Sequence, residues 1–438
     1  MNQKGFIPIA VIITVIVILV ASGGAVLIYQ KSVTRSPEIQ SSPSDLSPPI
    51  AKSATSEIPQ KKLSPTQAES PETSEGQKPT TQLPPAPLEK MPPPLSTYTP
   101  PLNPASTRSP IFGTPCTSNP KPVFEHPFAP VDHIAGIIPP GAAASEEIKP
   151  HSYVEIDTTL GESIPVYAPA DMYLVQGAFY KEPSTFRVPT SYILHFMVSC
   201  EITINLDHIT DPVDKIKTVL NQTPQDDTRM ESILKNPVYF KAGELIGSTK
   251  GGGVHGINRF DFGLYNTTHT NQFVNQRRYE QSYNWKSINA VCPYDSFAPE
   301  VKDMYLKKFR TFEKPTLVPG ASCRIPNQDK AGTLSGAWFL SEDSSSVEPH
   351  VGIALEINGQ EITIVGIRNM SFSIDDSNPT FEDPRSVTTE HCYFDPLNGA
   401  RVLYFKLHSP IKVEVWDGDS SSGCPNVFPT SGTIFLYR

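Results

Sequence analysis

The residues able to form a chemical site lie between His151 and Gly263. In chain order they are His151-Ser-Tyr-Val-Glu155, Pro165-Val-Tyr-Ala-Pro-Ala-Asp171, Leu206-Asp-His208-Ile209, Ala242-Gly-Glu-Leu-Ile-Gly247 and Arg259-Phe-Asp261-Phe-Gly263. Imidazole and carboxylate groups are the side chains that bind divalent cations and exchange protons near neutral pH. On a strand or extended turn, residues four apart point to the same side, so His151 and Glu155 could share one ligand. Taken singly, each residue has a plainer explanation. His151 follows Pro150 and reads alone as a surface or hydrogen-bonded histidine, and Leu206 and Ile209 around His208 read as core. Glu155 and Asp261 stand on otherwise apolar strands, where a carboxylate marks a site or an ion pair more often than unassisted burial. His255, in the glycine-rich run Gly251–Gly256, reads as a loop residue.

Taken in order, these motifs resemble those of the lysostaphin/LytM-type zinc endopeptidases, which cut peptide cross-bridges in bacterial peptidoglycan. That family shows an H-x-x-x-D pair, a PV-x-A-x-x-D-G strand, a Y-x-H-L strand, a G-x-x-IG turn and an H-L-H-F strand. The resemblance spans about residues 121–285 of the 438. It implies an antiparallel β sandwich of the duplicated hybrid motif type, with a metal at one end of a groove. It also implies roles. His151 and Glu155 would hold the first two zinc-ligand positions, with glutamate in place of aspartate. Asp261 would hold the third, where the family has the second histidine of H-x-H. His208 matches the histidine that assists the zinc-bound water, and Arg259 stands where the other catalytic histidine belongs.

These departures bear on the chemistry. A catalytic zinc site usually keeps three protein ligands, mostly histidines, and an open water position. One imidazole with two carboxylates is a harder set that discriminates less between zinc and manganese, calcium or magnesium. Its greater negative charge also weakens activation of the bound water. Arg259 is always protonated and cannot shuttle a proton at neutral pH, although it can donate hydrogen bonds to a developing oxyanion. It could equally pair with Glu155 or Asp261 across the pocket, leaving no metal at all.

The elements that would carry these residues are mostly β. Tyr192–Val198 and Glu201–Leu206 read as strands, and a hairpin is expected around Asn358-Gly359, where Asn-Gly suits a type I′ turn with two positive φ angles. Only Asp214–Leu220 and Pro299–Phe309 read as helical. After about Pro122 the mostly β chain is longer than one ordinary domain. A β domain is expected at 123–290, a connector at 291–319, and a second β-rich unit, sandwich or small barrel, at 320–438. That last unit shows no Ser/His/Asp or metal signature, and Asp417-Gly-Asp419 lacks the further oxygens of a calcium loop and reads as a turn. Asn266-Thr-Thr and Asn221-Gln-Thr fit the glycosylation acceptor, which matters only in a eukaryotic secretory route.

Phe6–Tyr29 carries no charge over 24 residues, enough to cross a bilayer as a helix. The run continues past the usual length of a signal-peptide core, so residues 1–35 are expected to be a stub and a transmembrane anchor, with a cleaved signal peptide as the alternative. Lys4-Gly5-Phe6 is close to a prepilin cleavage site, but Ala10 stands where that site needs glutamate. Residues 36–122 are rich in Pro, Ser, Thr, Glu and Lys and are expected to form a disordered, extended stalk. The six cysteines all lie beyond most of that stalk, show no C-x-x-C pair, and suit disulfides in an oxidising, extracytoplasmic place. A net charge of −9 argues against a nucleic-acid partner.

The expectation is a membrane-anchored, extracytoplasmic envelope protein with a degenerate endopeptidase-like domain, binding peptidoglycan or an envelope partner and carrying no cofactor or one divalent metal, zinc if the family site is kept. The alternatives are an active metalloendopeptidase with a His/Glu/Asp ligand set, or a structural or adhesive surface protein.

Overall fold

The computed structural model describes residues 107–226, 230–253, 258–280, 285–313, 316–318, 320–323, 328–343, 350–369, 371–396 and 400–438. The anchor expected within residues 1–35, most of the stalk, and His255 lie outside the described residues. No described helix is long and apolar enough to cross a membrane.

The first unit is built from β1 (Ile134–Ile138), β2 (Ala143–Ala144), β3 (Glu147–Ile148), β4 (Ser152–Ile156), β5 (Ile164–Tyr167), β6 (Met172–Lys181), β7 (Thr190–Met197), β8 (Ile202–Ile209), β9 (Asp211–Pro212), β10 (Ser232–Phe240), β11 (Leu245–Thr249), β12 (Arg259–Asn266) and β13 (Ala290–Val291). Its large antiparallel sheet runs β1-β4-β12-β8-β7-β6-β10, with β13 added beside β12, and a smaller sheet runs β5-β11-β9. Alternation explains how the two meet. Val154 and Ile156, Phe260, Phe262 and Leu264, Ile204 and Leu206, and Leu194 and Phe196 all face one core, together with Ile164, Val166 and Ile246 of the small sheet. The intervening residues Tyr153 and Glu155, Arg259 and Asp261, Asn205 and Asp207, and His195 therefore share the opposite face of the large sheet.

Helices are few among the described residues. The expected Asp214–Leu220 segment is helical over Asp214–Lys217 (α1), and Pro299–Phe309 is helical over Pro299–Leu306. Between them lie α2 (Gln276–Glu280) and α3 (Trp285–Asn289), which the sequence reading did not anticipate, so the Pro299–Leu306 helix is α4. Tyr294, Phe297, Tyr305 and Phe309, from the segment expected to act as a connector, are buried in the first core.

The second unit comprises β14 (Gly336–Trp338), β15 (Val351–Leu355), β16 (Glu361–Val365) and β17 (Phe372–Asp375) in one antiparallel sheet. A second sheet contains β18 (Glu390–Asp395), β19 (Arg401–Ser409), β20 (Lys412–Asp419) and β21 (Thr433–Tyr437). Trp338, Ile353 and Ile364 from one sheet and Tyr393, Leu403 and Val415 from the other share a single core, which makes this unit a β sandwich. Two local expectations are corrected here. Asp417-Gly-Asp419 is strand, not turn, because β20 pairs with β19 through Arg401↔Asp419. The hairpin at Asn358-Gly359 forms, but only Gly359 has positive φ (73°), and its N–H donates to Glu356 O at 2.9 Å. Pairing resumes at Leu355↔Ile362, so the connection is longer than the two residues of a type I′ turn.

All six cysteines pair: Cys116–Cys200, Cys292–Cys323 and Cys392–Cys424. The first bond fixes part of the expected stalk. From Thr107 onward the chain is folded, with Phe112 and Cys116 buried against Val175, Met197 and Cys200.

Candidate functional site

β12 sits between β4 and β8, and antiparallel register decides what meets across it. Asp261 lies opposite Tyr153 on one side and Asp207 on the other, and Arg259 lies opposite Glu155. Of the five residues singled out from sequence, the structure brings His151, His208 and Asp261 together. His151 Nε2 is 3.0 Å from Asp261 Oδ2, and His208 Nε2 is 3.9 Å from the same oxygen.

Glu155 is not with them. Its carboxylate is held by the Arg310 guanidinium, and both side chains are nearly buried. Burial leaves the Glu155 carboxyl raised even with Arg310 beside it. The family-like set of His151, Glu155 and Asp261 therefore does not fit a zinc ion here, since one of its three members is already committed to a cation. Arg259 pairs with neither carboxylate as a close ion pair. Its guanidinium lies 5.0 Å from the Tyr153 ring centre and 5.0 Å from that of Phe312, a cation–π arrangement between two aromatics.

Asp207, which the sequence reading passed over, completes the cluster. Asp207, His208 and Asp261 each offer a ligand atom within 4.8 Å of the others. Neighbours on a regular strand face opposite ways, so Asp207 and His208 need a break in the strand to act together. The register supplies it: β7 advances from Tyr192 to Leu194 while β8 advances from Ile209 to Leu206, an extra residue on β8. His208 takes up that bulge with φ 62°, a left-handed value that non-glycine residues rarely adopt. Gly252 covers it closely: a Cβ there would sit 2.6 Å from His208 Nδ1.

Glu182, just beyond β6, and Tyr180 within it fix the ring. His208 Nδ1 is 2.7 Å from Glu182 Oε1, and the Tyr180 hydroxyl donates to Asp207 Oδ1 at 2.7 Å. Asp207 Oδ1 also accepts the His208 backbone N–H at 2.7 Å, leaving its other oxygen for the cluster. With Nδ1 engaged, His208 presents Nε2 toward Asp261.

The electrostatics are uneven. Burial pushes Asp207 up to about 6 against the pull of His208. For His208 burial acts downward, but Asp207, Glu182 and Asp261 outweigh it and hold the imidazole at about 10. Burial alone would raise Asp261; His151 and then His208 hold it well below the usual carboxylate range. Even so, Asp261 Oδ1 is buried with no hydrogen-bond partner, and His151 approaches Oδ2 out of line for a hydrogen bond. A buried carboxylate oxygen left in this way is uncommon in folded proteins.

The chain was compared with family models, with curated proteins and with solved structures, and it matches none of them.

Proposed function

We propose that this chain is an envelope protein whose first β domain is an endopeptidase-like module that holds peptidoglycan or another envelope component without cutting it. The observation that carries this reading is the Glu155–Arg310 pair. Glu155 stands where the resembled family places a carboxylate ligand, and here it is neutralised by an arginine 155 residues further along the chain. Arg259, at the position of a catalytic histidine, is stacked between Tyr153 and Phe312 and offers no proton-transfer group. Two antiparallel sheets that carry the motif segments in the order of the family's motifs, with Glu155, Arg259 and Asp261 on one face of the large sheet, support the likeness itself. In this reading the uncharged Phe6–Tyr29 segment anchors the chain, the proline-rich segment spaces the domain from the membrane, and the three disulfides suit an oxidising compartment.

One observation favours the hydrolytic alternative: His151, His208 and Asp261 still converge. The two readings part in a single assay. Full-length protein in detergent is incubated with purified sacculi, with and without zinc, and both sedimentation with the wall and release of soluble peptide fragments are followed. Co-sedimentation without release is expected. Chelator-sensitive release that His151→Ala abolishes would overturn the proposal in favour of an enzyme, and failure to co-sediment would favour a structural or adhesive role.

A further inference from the structure

We propose that Asp207, His208 and Asp261 bind one divalent transition-metal cation, displaced from the family-like position and independent of Glu155. This inference goes beyond the wall-binding proposal and stands whether or not the domain holds peptidoglycan.

Three lines of geometry lead to it. Metal–ligand bonds of about 2.0–2.2 Å put neighbouring ligand atoms about 3–3.5 Å apart. Within the proposed set His208 Nε2 lies 3.9 Å from Asp261 Oδ2, and the three ligand atoms lie within 4.8 Å of one another, a little wider than that spacing and within reach of small side-chain rotations. Second, a metal-bound histidine almost always gives its other ring nitrogen to a carboxylate or carbonyl, which fixes its tautomer and aim. Glu182 does this for His208 at 2.7 Å, with its own side chain 1 % exposed. Third, Asp261 is 5 % exposed, and its Oδ1 is unpartnered within the cluster. Nothing in the hydrogen bonding among Tyr180, Glu182 and Asp207 reaches that atom, so it keeps its lone pairs for a cation.

The donor set narrows the class. One imidazole nitrogen with two carboxylates suits zinc or manganese. Calcium takes six to eight oxygens, more than these three residues supply. Three protein ligands leave further positions to water or to an oxygen of a bound molecule. His151 reaches the cluster through Asp261 and stands ready as a fourth ligand, the second nitrogen of the set.

The test uses full-length protein in detergent, stripped with chelator and titrated with zinc or manganese chloride by calorimetry. One cation per chain is expected. Asp207→Asn and Asp261→Asn should each weaken binding at least 100-fold. Glu182→Gln, which acts through His208 and Tyr180 and not on the ion itself, should weaken it about 10–100-fold, the range found for residues that orient ligands. Glu155→Gln should leave affinity within about threefold, set beside the 10–100-fold effect of an orienting residue. Near-ultraviolet circular dichroism on each variant separates lost binding from lost folding, and Glu182→Gln provides a milder variant if an aspartate change unfolds the protein. Absence of stoichiometric binding by folded wild type would overturn the proposal. So would a site that Glu155→Gln abolishes and Asp207→Asn leaves intact.

Discussion

Two carboxylate–histidine clusters share the outer face of the large sheet, and they are neutralised differently. At one, His195 Nε2 lies 2.8 Å from Glu231 Oε2 and Lys286 Nζ lies 3.3 Å from Glu231 Oε1, so each carboxylate oxygen has a protein cation or N–H beside it. Burial lowers His195 and favours its neutral ring, while Lys286 carries the charge. At the other, Asp207, Asp261 and Glu182 outnumber His151 and His208, and one Asp261 oxygen is left over. His195 Nε2 in the first cluster and His151 Nε2 in the second both lie out of line for a hydrogen bond to their carboxylates, so that angle does not distinguish the two. The balance of charge does. Glu155 belongs with the first kind by charge alone: Arg310 neutralises it through Oε2, while its Oε1, like Asp261 Oδ1, has no hydrogen-bond partner. A buried histidine beside a carboxylate is thus not in itself a site. A site is indicated where the chain has placed more acid than it has neutralised.

The largest effect is expected at the Glu155–Arg310 pair. Arg310→Met leaves Glu155 buried and uncompensated, and the loss expected in urea denaturation at pH 7 is about 3–5 kcal/mol. A loss within error would mean that Glu155 is free to serve as a ligand after all.

The Glu231 cluster should show itself through pH. Burial by itself would raise Glu231, but His195 and Lys286 outweigh it and bring it down to about 2 from an ordinary 4.5. A carboxyl depressed in the folded state adds stability that is fully present above pH 4.5 and lost as pH falls toward 2. Glu231→Gln should remove roughly 2–3 kcal/mol at pH 6 and flatten the denaturation profile between pH 4.5 and 2. A profile as steep as that of wild type would show that Glu231 is not the titrating group.

The smallest effect has the opposite sign. In cation-free protein, Asp207→Asn removes one of three buried carboxylates and should raise stability by about 1 kcal/mol. A clear loss would indicate that the second cluster is already balanced within the chain, like the first.

Much of this was legible in the sequence. The alternation Arg259-Phe-Asp261-Phe put two polar residues on one face and two phenylalanines in the core, as observed. The order of motifs brought His151, His208 and Asp261 together. What was missed has specific causes. Asp207 adjoins His208, and without the bulge and its φ of 62° the two would face opposite ways; nothing in Leu206-Asp-His208-Ile209 announces that bulge. Glu182 and Tyr180 come from a neighbouring strand and belong to no motif. Arg310 lies 155 residues from Glu155, and no local pattern links an ion pair across such a distance. The expected stalk ran too far because its prolines and serines masked Phe112 and Cys116, whose burial depends on a disulfide to Cys200.

The most direct test of the unbalanced cluster is anomalous X-ray diffraction from crystals of the protein grown with manganese or zinc. A single peak at bonding distance, about 2.0–2.2 Å from His208 Nε2 and from carboxylate oxygens of Asp207 and Asp261, with Glu155 still on Arg310, is the predicted result. A peak held by His151, Glu155 and Asp261 with Arg310 displaced, or no peak in the cluster at all, would contradict it.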